Sequence, residues 1–375
     1  MLKKQHITHI IHLPHIFERK NVNEKPKTSF EETLAKFVLP EKCTGCAACV
    51  ITCPFNCLAY VEEKPKLISE CKSCGICSKI CPQYTDSKLL LEKFVFRNER
   101  KPEENFGVYR QIVIARSTDK KILDTCQDGG VVTTLLTFAL ENGKIDGAIV
   151  SKVEKTKPFY PKPVLATTSQ QILQSAGTRY FYSPNLLALQ QAIKQKNIRK
   201  LAFVGLPCQI TAIRKIQMLP LKKYAEKLKF TIGLLCSGCF SYNELMKTLK
   251  EKLGINPEKI KKMNIKGKLI ITVKSGKQKK VPLEQIQAFI RKSCKTCTDF
   301  SAELADISIG GLGLKGWSLV ILRTENGEKL YKEALKRKLL EEKPIQKQKS
   351  SLRLLILLSR KAKERLPKDF HKFPD

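Results

Sequence analysis

No apolar run in this 375-residue sequence approaches the roughly 18 residues that a membrane-crossing helix needs, and the LLILL stretch at 354–358 is only a short patch. The first four residues are basic, but His6, His9, His12 and His15 interrupt any apolar stretch, so no secretory signal is expected. Acidic residues are scarce, 35 against 69 Lys and Arg, for a net charge of +34. A solvated, lysine-rich surface accounts for that balance. Nucleotide cofactors, a polyanionic coenzyme, an acidic partner or an acidic membrane surface would exploit it. Nucleic acid is disfavoured as a partner, because the lysines are spread along the chain without a nucleic-acid motif. A chain of this length buries a core without staples. A reducing, cytoplasmic setting is therefore expected, where the 15 cysteines would bind metal or do redox chemistry rather than pair.

Eight of those cysteines form two identical runs. The first is Cys43-x2-Cys46-x2-Cys49-x3-Cys53-Pro54 and the second is Cys71-x2-Cys74-x2-Cys77-x3-Cys81-Pro82. Each is the bacterial-ferredoxin spacing for 4Fe-4S clusters. Three thiolates on one tight loop reach three corners of a cube, and Gly45 and Gly75 let the backbone wrap it. The fourth cysteine lies too far along and ligates the other cluster. One cluster is thus assigned to Cys43, Cys46, Cys49 and Cys81, the other to Cys71, Cys74, Cys77 and Cys53. Zinc usually needs only two CxxC pairs or Cys/His sets. Cys57 lies outside the pattern and reads as a small buried apolar residue.

Six cysteines remain: Cys126, Cys208, Cys236, Cys239, Cys294 and Cys297. Cys208 follows a strand in GLPC, Cys236 ends one in GLLC, and Cys294 and Cys297 form CKTC. Strand ends meet at one edge of an α/β sheet, so Cys208, Cys236, Cys294 and Cys297 can converge. Spacing alone leaves zinc, a 4Fe-4S cluster and no metal all open. Gly311-x-Gly313-x-x-Gly316 has the spacing of a dinucleotide fingerprint, but that fingerprint must open a helix. Here residues 317–323 read as a strand, so the glycines suit a close-approach loop against a planar or phosphate ligand. The four N-terminal histidines repeat every third residue, which drifts around a helix, and Pro14 disrupts one there. A metal role for them is disfavoured.

The pattern divides the chain into a basic extension (1–38), a small α+β ferredoxin-like module (39–85), a linker (86–106), a main domain (107–345) and a basic helical tail (346–375). The main domain alternates strands, at 109–115, 146–151, 200–204, 230–236, 305–310 and 318–323, with helices at 131–140, 186–194, 208–218 and 242–253. That alternation predicts an α/β fold, a mixed sheet flanked by helices.

The strings ARSTD (115–119), CQDGGVVTTLL (126–136), AGTRY (176–180), SPN (183–185), GLPCQ (205–209), CKTCTDFSAELADIS (294–308) and GW..V..RT (316–324) occur in that order. Together they resemble the beta-subunit family of coenzyme F420-reducing hydrogenase and related F420 dehydrogenases. The resemblance implies FAD, hydride exchange with the 5-deazaflavin F420, and a 4Fe-4S cluster on Cys208, Cys236, Cys294 and Cys297, making three clusters in all. With its two-cluster module ahead of the main domain the chain resembles the F420H2 dehydrogenase input subunit of archaeal respiratory chains. That implies oxidation of F420H2 and a larger redox complex, membrane-bound at the inner face or soluble, or a ferredoxin-like acceptor. Hydrogenase and formate dehydrogenase beta subunits imply the opposite direction. A non-enzymatic iron–sulfur or nucleic-acid-binding protein is the alternative of another class.

FAD is expected against Gln127, Asp128, Gly129, Gly130, Thr133, Gly177, Thr178 and Arg179. These residues form two glycine-bearing turns, the first opening a helix, whose amides suit a pyrophosphate. Hydride transfer between stacked rings requires no side-chain acid or base, so no catalytic residue is assigned. Two departures from the family pattern stand out: Cys126 before QDGG, and no acidic residue before Gly316-Trp317.

Overall fold

The computed structural model of the protein describes residues 28–101, 103–219 and 221–365. Its strands in chain order are β1 (Leu58–Val61), β2 (Lys64–Leu67), β3 (Gln111–Ser117), β4 (Gly147–Val153), β5 (Pro161–Ala166), β6 (Leu201–Gly205), β7 (Leu228–Leu234), β8 (Ile260–Ile265), β9 (Lys268–Val273), β10 (Gln278–Pro282), β11 (Ile307–Gly310), β12 (Ser318–Leu322) and β13 (Leu340–Pro344). Eight of them form one sheet in the order β13-β3-β12-β11-β7-β6-β4-β5. Neighbours among β4, β6, β7 and β11 pair in parallel, and the outer pairings are antiparallel. This is the expected mixed α/β sheet. β6 and β12 are buried along their whole length, as strands covered on both faces must be.

Helices Val131–Glu141 and Glu325–Lys336 cover one face, building a core with Val113, Leu135, Phe138, Val204 and Val320. Helices Leu186–Ile193 and Pro207–Met218 cover the other with Leu189, Phe203, Ile210 and Ile213. Beside β3 that second face is closed by helix Lys349–Lys363, the expected tail helix, through Leu355 against Ile114 and Leu319. No helix among the described residues is long and apolar enough to cross a membrane. The antiparallel edges β5 and β13 and the separate sheet β10-β9-β8 have no counterpart in the sequence reading. The reason is visible in β13, where only Leu340 is buried and the rest is Glu-Glu-Lys-Pro.

The ferredoxin-like module is fused to the main domain. Ala48, Ile51 and Ile80 share one core with Leu189, Phe203 and Ile210. Lys215, fully buried, donates to the main-chain oxygens of Cys81 (2.7 Å) and Thr85 (3.1 Å). The segment 86–106 differs from the plain linker expected. It holds helix Lys88–Phe96, whose Leu91 enters that same core and whose buried Glu92 pairs with Arg100. The basic extension also ends in structure. Phe30, Leu34 and Val38, spaced four apart around the π-helical turn Glu31–Ala35, pack on Cys49, Cys57 and Cys77. The histidines at 6, 9, 12 and 15 lie outside the described residues.

Candidate functional site

Each ferredoxin loop turns through left-handed backbone into a short helix. Gly45 (φ 69°) precedes helix Ala48–Thr52, and Gly75 (φ 68°) caps helix Ile76–Ile80. A Cβ on Gly45 would stand 2.4 Å from the main-chain oxygen of Glu63, so the wrap requires glycine. The folding brings Cys81 beside Cys43 and Cys46. Burial lifts the Cys81 thiol to about 12, with Cys46 the next cause and Cys43 adding to it. Cys77 is likewise raised to about 12 by burial, then by Cys71, Cys74 and Cys53. The crossed groupings read from spacing are therefore the spatial neighbours. Thiols crowded so that each opposes the next one's ionisation suit a bound cationic group, which relieves that repulsion. Cys57, read as a bystander, is buried with its Sγ 3.3 Å from that of Cys53. The Phe30 amide donates to Cys71 Sγ at 3.3 Å. Cys74 is exposed.

The third group sits at the carboxyl edge of the parallel strands, where open α/β sheets bind ligands. β6 delivers Cys208 into the first turn of helix Pro207–Met218, and β7 delivers Cys236, whose amide donates to Phe300 O at 2.8 Å. Burial pushes the Cys208 thiol well above its ordinary range, and Cys297, Cys46, Cys236 and Cys294 add to it in that order. All four expected cysteines thus meet, with Cys46 of the module beside them. Cys239, which spacing left without a role, joins this group. Its thiol hydrogen-bonds Cys236, holding that thiol low, and its amide donates to Cys294 Sγ at 3.4 Å. The signal was present as a second CxxC, Cys236-Ser-Gly-Cys239. Among the described residues no three His, Cys, Asp or Glu side chains crowd one point as a single ion needs.

Between the first and third groups lie aromatic and cationic side chains. The Tyr182 hydroxyl is 3.7 Å from Cys208 Sγ, and the Arg291 guanidinium stacks 4.3 Å from the Tyr182 ring centroid. Arg291 also stands 3.3 Å from the Glu63 carboxylate.

The two turns expected to hold FAD adjoin: Thr125 O lies 3.9 Å from where a Cβ on Gly177 would be. Gln127 Nε2 and Arg179 Nε are both buried without a hydrogen-bond partner. Such orphaned donors are uncommon in native interiors and fit a site made for an acceptor-rich group. Arg179 Nη1 is steered by the carbonyls of Ser175 (2.7 Å) and Ala176 (2.8 Å), and burial lowers its pKa to about 10. Gly129 is also tied to the main sheet. Its amide donates to Ser318 Oγ at 3.1 Å, and a Cβ there would stand 2.5 Å from Ala115 O. Gly130 (φ 72°) begins helix Val131–Glu141, on which Thr133 is buried, while Gly177 and Thr178 are exposed. Burial raises the Asp128 carboxyl, and Lys266 and Lys262 pull it back. Cys126 stands apart from the other thiols, donating to Asp128 O at 2.8 Å. The Gly311–Gly316 loop joins β11 to β12 and opens no helix. Gly313 borders a cavity of about 470 Å³ with Leu312, Lys315, Trp317 and Lys343.

Residues 37–59 match the family described as 4Fe-4S binding domain, which covers the first cysteine run. Fold and thiol groups together define an iron–sulfur oxidoreductase component. Residues 112–190 and 198–348 match the N-terminal and C-terminal parts of coenzyme F420 hydrogenase/dehydrogenase, beta subunit. The chain is 42% identical over 267 residues to the beta subunit of coenzyme F420 hydrogenase of Methanothermobacter thermautotrophicus, covering 70% of this chain and 94% of that one. It is 30% identical over 314 residues to one component of the F(420)H(2) dehydrogenase of Methanosarcina mazei, covering 80% and 84%. Its fold is similar to a chain of the F420-reducing [NiFe] hydrogenase complex of Methanosarcina barkeri, with a TM-score of 0.68 and 37% identity over 71% of this chain and 92% of that chain. The chain belongs to the coenzyme F420 hydrogenase/dehydrogenase beta-subunit family.

Proposed function

We propose that the protein oxidises F420H2 by hydride transfer to FAD and sends single electrons through three 4Fe-4S clusters to a partner complex or a ferredoxin-like acceptor. FAD, when bound, supplies the conversion from a two-electron hydride to one-electron steps. Gln127 Nε2 and Arg179 Nε would donate to it, with Asp128, Gly129, Gly130, Thr133, Gly177 and Thr178 forming the surrounding turns. Cys208, Cys236, Cys294 and Cys297 would hold one cluster; Cys43, Cys46, Cys49 and Cys81 the second; Cys71, Cys74, Cys77 and Cys53 the third.

The observation that carries this reading is continuity. Cys46 is among the groups that raise the Cys208 thiol, Cys77 is among those that raise the Cys49 thiol, and Cys74 is exposed. Thiol groups in series, ending at the surface, suit electron flow from a cleft to a docked partner. The 42% identity to a hydrogenase beta subunit favours a second reading, the same path run toward F420 reduction. Anaerobic titration with F420H2 tests the first: a flavin absorbance should bleach with F420H2 and hardly respond to NADH. A purified, iron-replete protein without flavin would refute it.

A further inference from the structure

Residues 257–282 contain nine lysines and a single carboxylate, Glu258. They form the sheet β10-β9-β8, whose inner face, with Met263, Leu269 and Ile271, packs on Leu245, Leu249 and Phe181. Burial of that face explains why the sheet forms. It does not explain the charge. All nine lysines are exposed, and among the described residues none of them forms an ion pair. Lysines elsewhere do so, as in Lys88–Glu303, Lys144–Glu333 and Lys332–Glu328.

The sheet is also anchored beside the Gly177–Arg179 turn. The Ile265 amide donates to the Tyr180 hydroxyl at 3.0 Å, and Asn264 Oδ1 lies 3.4 Å from it. Tyr180 follows Arg179, so the β8–β9 hairpin leans on the turn that carries an orphaned guanidinium nitrogen. From the same hairpin, Lys262 and Lys266 are close enough to Asp128, on the first turn, to act on its carboxyl. Exposed lysines without an ion pair therefore border the turns in which Gln127 Nε2 and Arg179 Nε are buried without a hydrogen-bond partner.

We propose that the β8–β9 hairpin, through Lys262 and Lys266, is an anion clamp for the phosphate and polycarboxylate tail of the hydride donor. The inference rests on the reading of F420H2 as that donor. Two sources share this anion chemistry, the donor's tail and the pyrophosphate of the flavin, and the experiment separates them. The full-length protein and its Lys262→Gln/Lys266→Gln variant are compared for flavin content, iron content and steady-state kinetics. Two donors are used: F420H2 with its glutamate tail, and the reduced deazaflavin core lacking phosphate and tail. At low salt the variant's KM for F420H2 should rise by roughly three- to tenfold, as expected for two partly exposed charge pairs. Its KM for the tail-less core should not move, and added salt should raise the wild-type KM for F420H2 more than the variant's. An unchanged KM for F420H2, or an equal rise for both donors, overturns the clamp. Loss of flavin from the variant assigns the charge to the pyrophosphate and likewise overturns it. Wild-type protein that oxidises neither donor removes the functional reading itself, and the clamp falls with it.

Discussion

The guanidinium of Arg291 lies 4.3 Å from the ring centroid of Tyr182, whose hydroxyl is 3.7 Å from Cys208 Sγ. The Arg291 amide donates to Cys239 O at 2.9 Å, and its side chain faces Glu63 of the module at 3.3 Å. A half-buried cation thus stands between two thiol groups that come from distant parts of the chain. Local charge is one of the levers that set iron–sulfur potentials, and a fixed cation favours the reduced, more negative state. Arg291→Gln should make the midpoint potentials of both neighbouring clusters more negative in an EPR-monitored titration. Glu63→Gln, which removes the anion and keeps the cation, should leave them unchanged or shift them the other way. Equal negative shifts in both variants would mean that loosened docking, not charge, is responsible.

Metal content tests the ligand sets directly. Three clusters on twelve cysteines require about twelve iron and twelve sulfide per chain, four of each per cluster. Cys208→Ser should lower both toward about eight. With Cys208, Cys236, Cys294 and Cys297 proposed as the set, Cys239→Ser should keep the full content, and a loss of about four iron on that substitution would make Cys239 a ligand. Wild-type protein with about eight iron and one zinc would show that the main-domain site holds zinc.

Flavin retention tests the cleft. Arg179→Gln removes the buried Nε donor that has no partner within the chain, along with the Nη1 bonds to Ser175 and Ala176, and should lower flavin occupancy while iron stays constant. Gly129→Val is a poor probe. Its Cβ would meet Ala115 O at 2.5 Å and Ser318 N at 2.7 Å, so the substitution distorts β3 and β12 whether or not a ligand is near.

Stability should depend on Glu303, which bonds Lys88 (2.7 Å) and Arg100 (2.5 Å) in the interior. Burial alone would raise its carboxyl, but Lys88 and Arg100 outweigh it and hold the group at about 2, against an ordinary 4.5. A carboxyl depressed on folding contributes stability that is full above 4.5 and is lost as pH falls toward 2. Glu303→Gln should therefore destabilise the protein by about 3–5 kcal/mol at neutral pH, the usual cost of breaking a buried ion pair. That difference should shrink in acid. Denaturant midpoints at pH 7 and pH 4 check both statements, and a gap that widens at pH 4 would reverse the sign.

Removing residues 1–104 should do more than cut the electron path. Ala48, Ile51, Ile80 and Leu91 leave the core they share with Leu189, Phe203 and Ile210, exposing apolar surface. The truncated chain should aggregate or lose thermal stability. Full stability with only acceptor reduction lost would show that the shared core contributes little.

Much of this protein was determined by sequence alone where the physics is local. A run of three cysteines at spacing three, with glycine to turn the backbone, defines a cluster loop wherever it sits. Apolar runs such as LAFVG (201–205) define buried strands for the same reason. Even the nearness of Cys81 to the first run and of Cys53 to the second was expected from how far one loop can reach. Tertiary structure decided what depends on strand order. β6, β7 and β11 are adjacent in space but separated by crossovers, so only the folded sheet brings Cys208, Cys236 and Cys239 to the CKTC helix. Only folding sets Arg291 over Tyr182, nearly 110 residues earlier in the chain. The lysine-rich strands β8 to β10 were missed because their apolar faces are short, and their charge acquires a position only when Ile265 is bound to Tyr180 beside the Gly177–Arg179 turn.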